Sequence, residues 1–326
     1  MTMRFGVIGI GYFGRHYVRL LQEMEGVELI GVAARFVGEI PELPGTIKKY
    51  ESADALICDS MIDCVIIATP ASTHAQFAIA ALQKGKHVVI EKPMAVSVAE
   101  AEAIAYAAHI SERVCMIGHQ YCYNDYIRQL KKEIEQKTIG DIKYMFVEHL
   151  YPGPVRLDIG CLWETATHEL AIIDYLFPNA RAVKIIGQTV DMTGHGRDDA
   201  ASAAITFDNG VVVSIVTSWF APQKVRRMIM GGTKGMAIFD EKETHPLVLF
   251  RHAYPEQESP ELHSSHFFEI TEKEIYIPHV DAHEPLYNQL SHFIDCIIQK
   301  KTPVTDVHHG LRVTRLLNEI TARMRA

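Results

Sequence analysis

The amino-acid sequence predicts an α/β chain in two parts: a doubly wound parallel sheet, then an α+β region on a large, mostly antiparallel open sheet. Three observations carry this. Up to about residue 122, short apolar β-branched runs alternate with helical segments across short connections, the pattern of a parallel sheet covered on both faces. Beyond residue 123 a helical segment gives way to strand-like runs, with Asp208-Asn209-Gly210 as a hairpin signal between two of them. The length, 326 residues, exceeds what one hydrophobic core ordinarily serves. Domains are therefore expected at 1–122 and 123–326.

Composition excludes several classes. A hydrophobic content of 48% with 22% charged residues is that of a soluble globular protein. The formal net charge of -8, without any Lys/Arg cluster, argues against a nucleic-acid partner. The cysteines at 58, 64, 115, 122, 161 and 296 form no C-x-x-C pair and read as reduced thiols. No metal is expected, because the pairs His263/His266 and His279/His283 stand in Pro- and Ser-containing sequence without Cys or clustered carboxylates. The apolar run Phe5 to Ile10 fits neither a signal peptide nor a membrane span, so the expected location is the cytoplasm.

The first strand runs into Gly9-Ile-Gly11-Tyr12-Phe13-Gly14 and then a helix to Glu25. This G-x-G-x-x-G allows a tight turn, close backbone approach to a pyrophosphate and close helix-to-strand packing, so dinucleotide binding at Gly9, Gly11, Tyr12, Phe13 and Gly14 is expected. The second strand, Val27 to Ala33, ends where a ribose-binding carboxylate is due, but the chain has Ala34 and Arg35. A forked cation in place of an acid suits a 2′-phosphate, which selects NADP over NAD. A plain surface Arg, with the acid supplied elsewhere, is the alternative.

Residues 36 to 50 read as a loop. The strand Cys64 to Ala68 then leads into Thr69-Pro70-Ala-Ser-Thr-His74 and a helix. Thr69, Pro70 and His74 share the sheet edge of the glycine turn and are candidate cofactor contacts, although His74 reads equally as a helix-start residue. The run Val88-Val89-Ile90 is a strand buried on both faces, and it stops at Glu91-Lys92-Pro93, where Glu91 and Lys92 are expected cofactor contacts. A Lys at that carboxyl end can lose solvent, shift its pKa down and exchange a proton with a substrate hydroxyl. A helix capped by Ser97 and Glu100 follows.

In the second part, strands are expected at 142–151, 182–191, 200–207, 211–220, 225–231 and 234–240. Between the first two lies a helix from Trp163 to Leu176, with Glu164 and His168 one turn apart. A carboxylate beside an imidazole that titrates near neutrality can serve acid/base chemistry, although such a pair is often only a surface pair. An open sheet needs its face covered, so a homodimer or homotetramer is expected.

The order of Gly9-x-Gly11-x-x-Gly14, Ala68-Thr69-Pro70 with His74, Gly85-Lys-His-Val-Val-Ile-Glu91-Lys92-Pro93 and a later helix carrying His168 resembles the glucose-fructose oxidoreductase, inositol dehydrogenase and MocA family over nearly the whole chain. The resemblance implies a Rossmann domain followed by a sheet-containing substrate domain. It implies hydride transfer between NADP or NAD and a hydroxyl-bearing carbon of a sugar, nucleotide-sugar or polyol. Lys92 would lie near both the nicotinamide ribose and the substrate hydroxyl, His168 would be the general acid/base, and Glu164 would take the place of the family's usual Asp. The stretch Leu162 to Leu170 is most like members acting on nucleotide-linked sugars. Ala33-Ala34-Arg35 is similar to the NADP-using dihydrodiol dehydrogenase branch, and Cys122-Tyr123-Asn124-Asp125 replaces the frequent Arg-Phe-Asn-Pro. The alternatives are a dihydrodiol, aldose or inositol-type dehydrogenase and, outside catalysis, a cofactor-binding sensor; retention of Lys92 and His168 argues against the sensor.

Overall fold

The structure, a computed structural model, describes residues 2–34, 43–178, 180–253 and 271–324. Two compact units are formed, Met1–Tyr123 with His283–Asn318 and Asn124–Ala282 with Glu319–Ala326.

The first unit is built on β1 (Met3–Ile8), α1 (Tyr12–Glu23), β2 (Val27–Ala33), β3 (Lys48–Tyr50), α2 (Ala53–Cys58), β4 (Cys64–Ile67), α3 (His74–Gln83), β5 (His87–Glu91), α4 (Val98–Ser111) and β6 (Cys115–Gly118). The strands form one sheet in the order β3-β2-β1-β4-β5-β6, with every pairing parallel. Parallel pairing puts the carboxyl ends of all six strands at one edge. Burial on both faces explains the apolar runs: all of β4, and Val88, Val89 and Ile90 of β5, are fully enclosed. Helix α4 starts as its sequence predicts, with Ser97 Oγ accepting from the Glu100 amide at 3.2 Å. Strand β3 is a departure from the expected loop. Its three residues, Lys-Lys-Tyr, carry too little periodicity to announce a strand, yet they pair with β2 from Gly31 to Ala33.

The second unit contains α5 (Asp125–Glu135), β7 (Ile142–Pro152), α6 (Thr167–Leu176), β8 (Ala182–Val190), β9 (Ala200–Phe207), β10 (Val212–Ser218), β11 (Phe220–Gly232), β12 (Gly235–Asp240), β13 (Leu247–Ala253) and β14 (Thr271–Tyr276). Its sheet has the order β14-β13-β12-β11-β7-β10-β9-β8 and is antiparallel except between β7 and β10. Met145, Val147, Val213, Ile215, Met228 and Met230 bury the inner face, alternating with exposed or half-buried positions as one covered face requires. Three details differ from the sequence reading. The helix expected from Trp163 opens as a π-turn, Leu162–Ala166, before α6. Strand β11 runs unbroken from Phe220, because its first residues pair with the end of β7 across an irregular register. The segment 241–285 supplies β13 and the edge strand β14, hidden in the sequence by surrounding charge. His263 and His266 lie outside the described residues.

The expected division of the chain also changes. Helix α7 (Pro285–Gln299) and most of α8 (Val307–Met324) belong to the first unit and not to a domain beginning at residue 123. The apolar stripe Leu286, Leu290 and Phe293 is buried, with Phe293 6.3 Å from Phe5 between ring centroids. Gln289 donates to the Tyr17 hydroxyl at 2.9 Å, and Thr305 Oγ1 to the Ile117 carbonyl at 2.7 Å. These contacts join residues nearly 200 or more positions apart, which no local pattern reveals. Among the described residues no helix is long and apolar enough to cross a membrane.

Candidate functional site

At the carboxyl edge of the six-stranded sheet, the turn from β1 to α1 is shaped by its glycines. Gly9 has a φ of 91°, and a side chain there would strike the Ala68 carbonyl and Thr69. A side chain at Gly14 would strike the Gly9 carbonyl, so this glycine is what lets α1 approach the strand. Gly11 differs: nothing stands within 4 Å of where its Cβ would be. It is the N-cap of α1 without a side-chain cap, which leaves the first-turn amides facing open space. This arrangement fits a dinucleotide's pyrophosphate. Tyr12 points outward, 76% exposed, and contacts the rings of Phe13 and His16.

Ala34 follows the last residue of β2, and Arg35 lies outside the described residues. Thr69 and Pro70 follow β4. His74 starts α3 and is buried, with Nδ1 2.8 Å from the Pro93 carbonyl oxygen and Nε2 2.9 Å from that of Thr69. Thr73 Oγ1 reaches Thr69 Oγ1 at 2.7 Å, closing the same loop.

Glu91 ends β5 and turns inward. Its Oε1 accepts from the Tyr17 hydroxyl at 2.6 Å and its Oε2 from the Lys92 amide at 3.1 Å. Burial pushes the Glu91 carboxyl up, against the opposing pull of the Tyr17 hydroxyl and the Lys92 charge. Burial likewise pushes the Tyr17 phenol well up, so it stays a donor. Glu91 therefore anchors the backbone under Lys92, and both of its oxygens are engaged within the protein. Lys92 itself is half-buried. Sequence reasoning missed His119, which follows β6 opposite the Glu91–Gly118 pair. It is 1% exposed, its ring stacks edge-on to His309 at 5.0 Å, and neither ring nitrogen has a hydrogen-bond partner among the described residues. Burial, then His309 and Lys92, hold it well below the usual histidine range.

In the second unit Glu164 sits in the π-turn and His168 in the first turn of α6, 6% exposed. Glu164 Oε2 accepts from the Tyr151 hydroxyl at 2.9 Å and from Thr165 at 3.1 Å. Behind His168 lies a buried network absent from the sequence reading. The His149 ring is 6.0 Å from that of His168, and its Nδ1 is 2.8 Å from Glu169 Oε1. Arg226, opposite His149 in the β7–β11 register, donates to His149 Nε2. A carboxylate at one ring nitrogen and a guanidinium at the other fix the orientation of the His149 ring. Burial lowers the Arg226 guanidinium to about 10, still protonated at neutral pH. The signal for His149 and Tyr151 was in the sequence: they continue the i, i+2 inner face of Met145 and Val147.

The first unit also carries a groove of about 670 Å³ lined by His87, His109, Arg113, Lys300 and Lys301, at the opposite end of β5 from Lys92. Helices α4 and α7 both end there, and cations complement helix carboxyl ends, which accounts for its charge. Among the described residues no group of three or more His, Cys, Asp or Glu is placed to share a metal ion.

Residues 3–119 match the family model described as the oxidoreductase family with an NAD-binding Rossmann fold, GFO/IDH/MocA, and residues 127–238 match the GFO/IDH/MocA C-terminal domain. UDP-N-acetylglucosamine 3-dehydrogenase of Acidithiobacillus ferrooxidans is 31% identical over 69% of this chain and 70% of its own. Its solved structure superimposes with a TM-score of 0.83, covering 99% of this chain and 98% of that one. The scyllo-inositol 2-dehydrogenase (NAD(+)) of Bacillus subtilis is 25% identical over 94% of this chain and 89% of its own. The chain belongs to the GFO/IDH/MocA family of oxidoreductases.

Proposed function

We propose that this chain is an NAD(P)-dependent dehydrogenase acting on a hydroxyl-bearing carbon of a sugar, nucleotide-sugar or polyol. The observation that carries this is the anchoring of Lys92 through Glu91 and Tyr17 at the same sheet edge as the open Gly11 turn. The α1 amides and the Gly9–Gly14 turn would hold the pyrophosphate, and Thr69 and Pro70 would flank it. When bound, the nicotinamide supplies the hydride acceptor or donor. Lys92 manages the substrate hydroxyl proton at this edge; in the second unit His168 is the candidate general acid/base, and Glu164, held by Tyr151, orients it without carrying the proton. The relatives' substrates define the assay. Each member of a panel of UDP-sugars, inositols and free aldoses is incubated with NAD+ and with NADP+ and followed at the reduced-nicotinamide band. Turnover on a member supports the reading, whereas tight cofactor binding without turnover on any member contradicts it.

For the cofactor, NADP is favoured by Ala34 and Arg35 at the position of a ribose-binding acid. Titration should show tighter NADPH than NADH binding, with the gap narrowed by about 1 to 3 kcal/mol in Arg35→Ala. Equal affinities would refute it.

The partner is a second copy of the chain, and the site of action is the cytoplasm. A row across the outer face of the large sheet supports self-association: Val248, Ile238, Ile229, Phe146, Ser214, Ala204 and Ile186 stand in register, and all but Ser214 are apolar. Phe146 is 50% and Ile186 59% exposed. Sedimentation should give a dimer or tetramer that Phe146→Asp dissociates; a monomeric unmodified protein would overturn it.

A further inference from the structure

His74 grips two loops at once. Each of its ring nitrogens lies within hydrogen-bonding distance of a carbonyl oxygen, Nδ1 of Pro93 and Nε2 of Thr69. A carbonyl oxygen only accepts, and a neutral imidazole has a single N–H. Neutral His74 would satisfy one carbonyl and press a ring lone pair against the other. The imidazolium donates to both. The carbonyls belong to the loops that leave β4 and β5: Thr69 abuts Gly9, and Pro93 follows Lys92.

The surroundings oppose that proton. His74 is the first residue of a ten-residue helix, whose amino end repels a cation. The elements packed against α3 bear Asp54 and Cys58 on α2, Cys64 on β4, Glu100, Glu102, Tyr106 and His109 on α4, and His87, Glu91 and then Lys92 on β5 and its loop. Cys64 and His87 begin their strands, at the opposite edge. Glu100 holds the Val96 amide and Glu91 the Tyr17 hydroxyl. Among these groups, the charge next to the gripped Pro93 is the cation Lys92. An anionic dinucleotide at this edge would reverse the balance by bringing phosphate charge to the site.

We propose that His74 is a proton-linked clamp: nucleotide binding at the glycine turn is accompanied by uptake of a proton that lets His74 hold Thr69 and Pro93 together and position Lys92. The proposal rests on the nucleotide reading above and adds a proton to it. The sign follows from linkage. Affinity is greatest at low pH, where free protein already holds the proton, and falls by up to about tenfold per pH unit over the range in which binding takes it up.

The test is calorimetric titration of the intact protein with NADPH and NADH in buffers of different ionisation enthalpy, between pH 6 and 9. The expected result is uptake of up to one proton, abolished in His74→Gln, whose amide nitrogen can serve one carbonyl and cannot titrate. Binding without proton uptake, or uptake unchanged in His74→Gln, would overturn the clamp while leaving the nucleotide reading intact. Failure to bind either nucleotide would remove both. If His74→Gln does not fold, the nucleotide-bound wild-type protein labelled with ring-15N histidine decides: hydrogens on both His74 nitrogens support the clamp, and a hydrogen on one overturns it.

Discussion

The six-stranded sheet and the eight-stranded sheet assemble polar groups by different means. In the first, topology does it: parallel strands end together, so Gly9, Ala34, Thr69 and Lys92 reach one edge although they are spread over more than 80 positions. In the second, register does it: His149 meets Arg226 because β7 and β11 pair antiparallel, and Glu169 reaches them from α6. A strand-end loop can carry a cation with partial access to solvent, as Lys92 does. A cross-strand pair is sealed on all sides, and Arg226 and Glu169 are 6% and 1% exposed. The edge is therefore suited to ligand contact and the network to holding a neighbouring side chain still.

The largest expected effect breaks the contrast at its reactive ends. Lys92→Met and His168→Ala should each lower turnover by roughly 100- to 10,000-fold, measured as kcat, with the fold intact by circular dichroism. Near-normal turnover in either variant would remove that residue from the mechanism.

Those ends were the parts legible in the sequence, and the reason is physical. Glycine turns, strand termini and X-Pro stops are local, so Gly9, Gly11, Gly14, Thr69, Pro70 and Lys92 could be placed from spacing alone. His74 was found but not understood, because its two carbonyl partners lie 5 and 19 residues away. Glu91 is legible as the end of β5, but its inward turn toward Tyr17 depends on packing between β5 and α1. His149, Glu169, Arg226 and His119 were missed altogether. Each depends on a pairing between distant segments: the i, i+2 alternation sets His149 on one face with Met145 and Val147, but nothing local brings Glu169 or Arg226 to it. The transfer of α7 to the first unit has the same cause.

Next in size is the sealed network. Arg226→Met should destabilise the protein by about 3 to 5 kcal/mol, because it leaves the Glu169 carboxylate buried without its guanidinium counter-charge. Denaturant unfolding measures this, and a loss below about 1 kcal/mol would mean that the network is not an electrostatic unit.

Tyr17→Phe sharpens the comparison from the other side. It removes the donor to Glu91 and the acceptor for Gln289, at a cost of about 1 to 3 kcal/mol. If Glu91 acts by anchoring Lys92, kcat falls as well; unaltered kcat would confine Tyr17 to stability.

The last effect, nil at neutral pH and confined to acid, comes from the far end of β5. Burial, aided by Arg113, lowers His87 from near 6.5 to about 4, and its Nδ1 accepts from the Val114 amide at 3.0 Å. The unfolded chain thus binds a proton that the folded protein refuses between those values. Stability contributed by neutral His87 is complete above about 6.5 and is lost as pH falls toward 4. His87→Gln should flatten that part of the stability profile without changing turnover at pH 7. An unchanged slope would place the acid sensitivity elsewhere.

The central claim is that the hydride-transfer step needs both Lys92 and His168. Its most direct measurement is single-turnover hydride transfer, followed by stopped flow with the substrate found in the panel, in wild type, Lys92→Met, His168→Ala and the double variant. Members of one catalytic unit act non-additively, so the double variant should be little slower than the poorer single one. Losses that multiply would assign the two residues to separate steps and contradict the account.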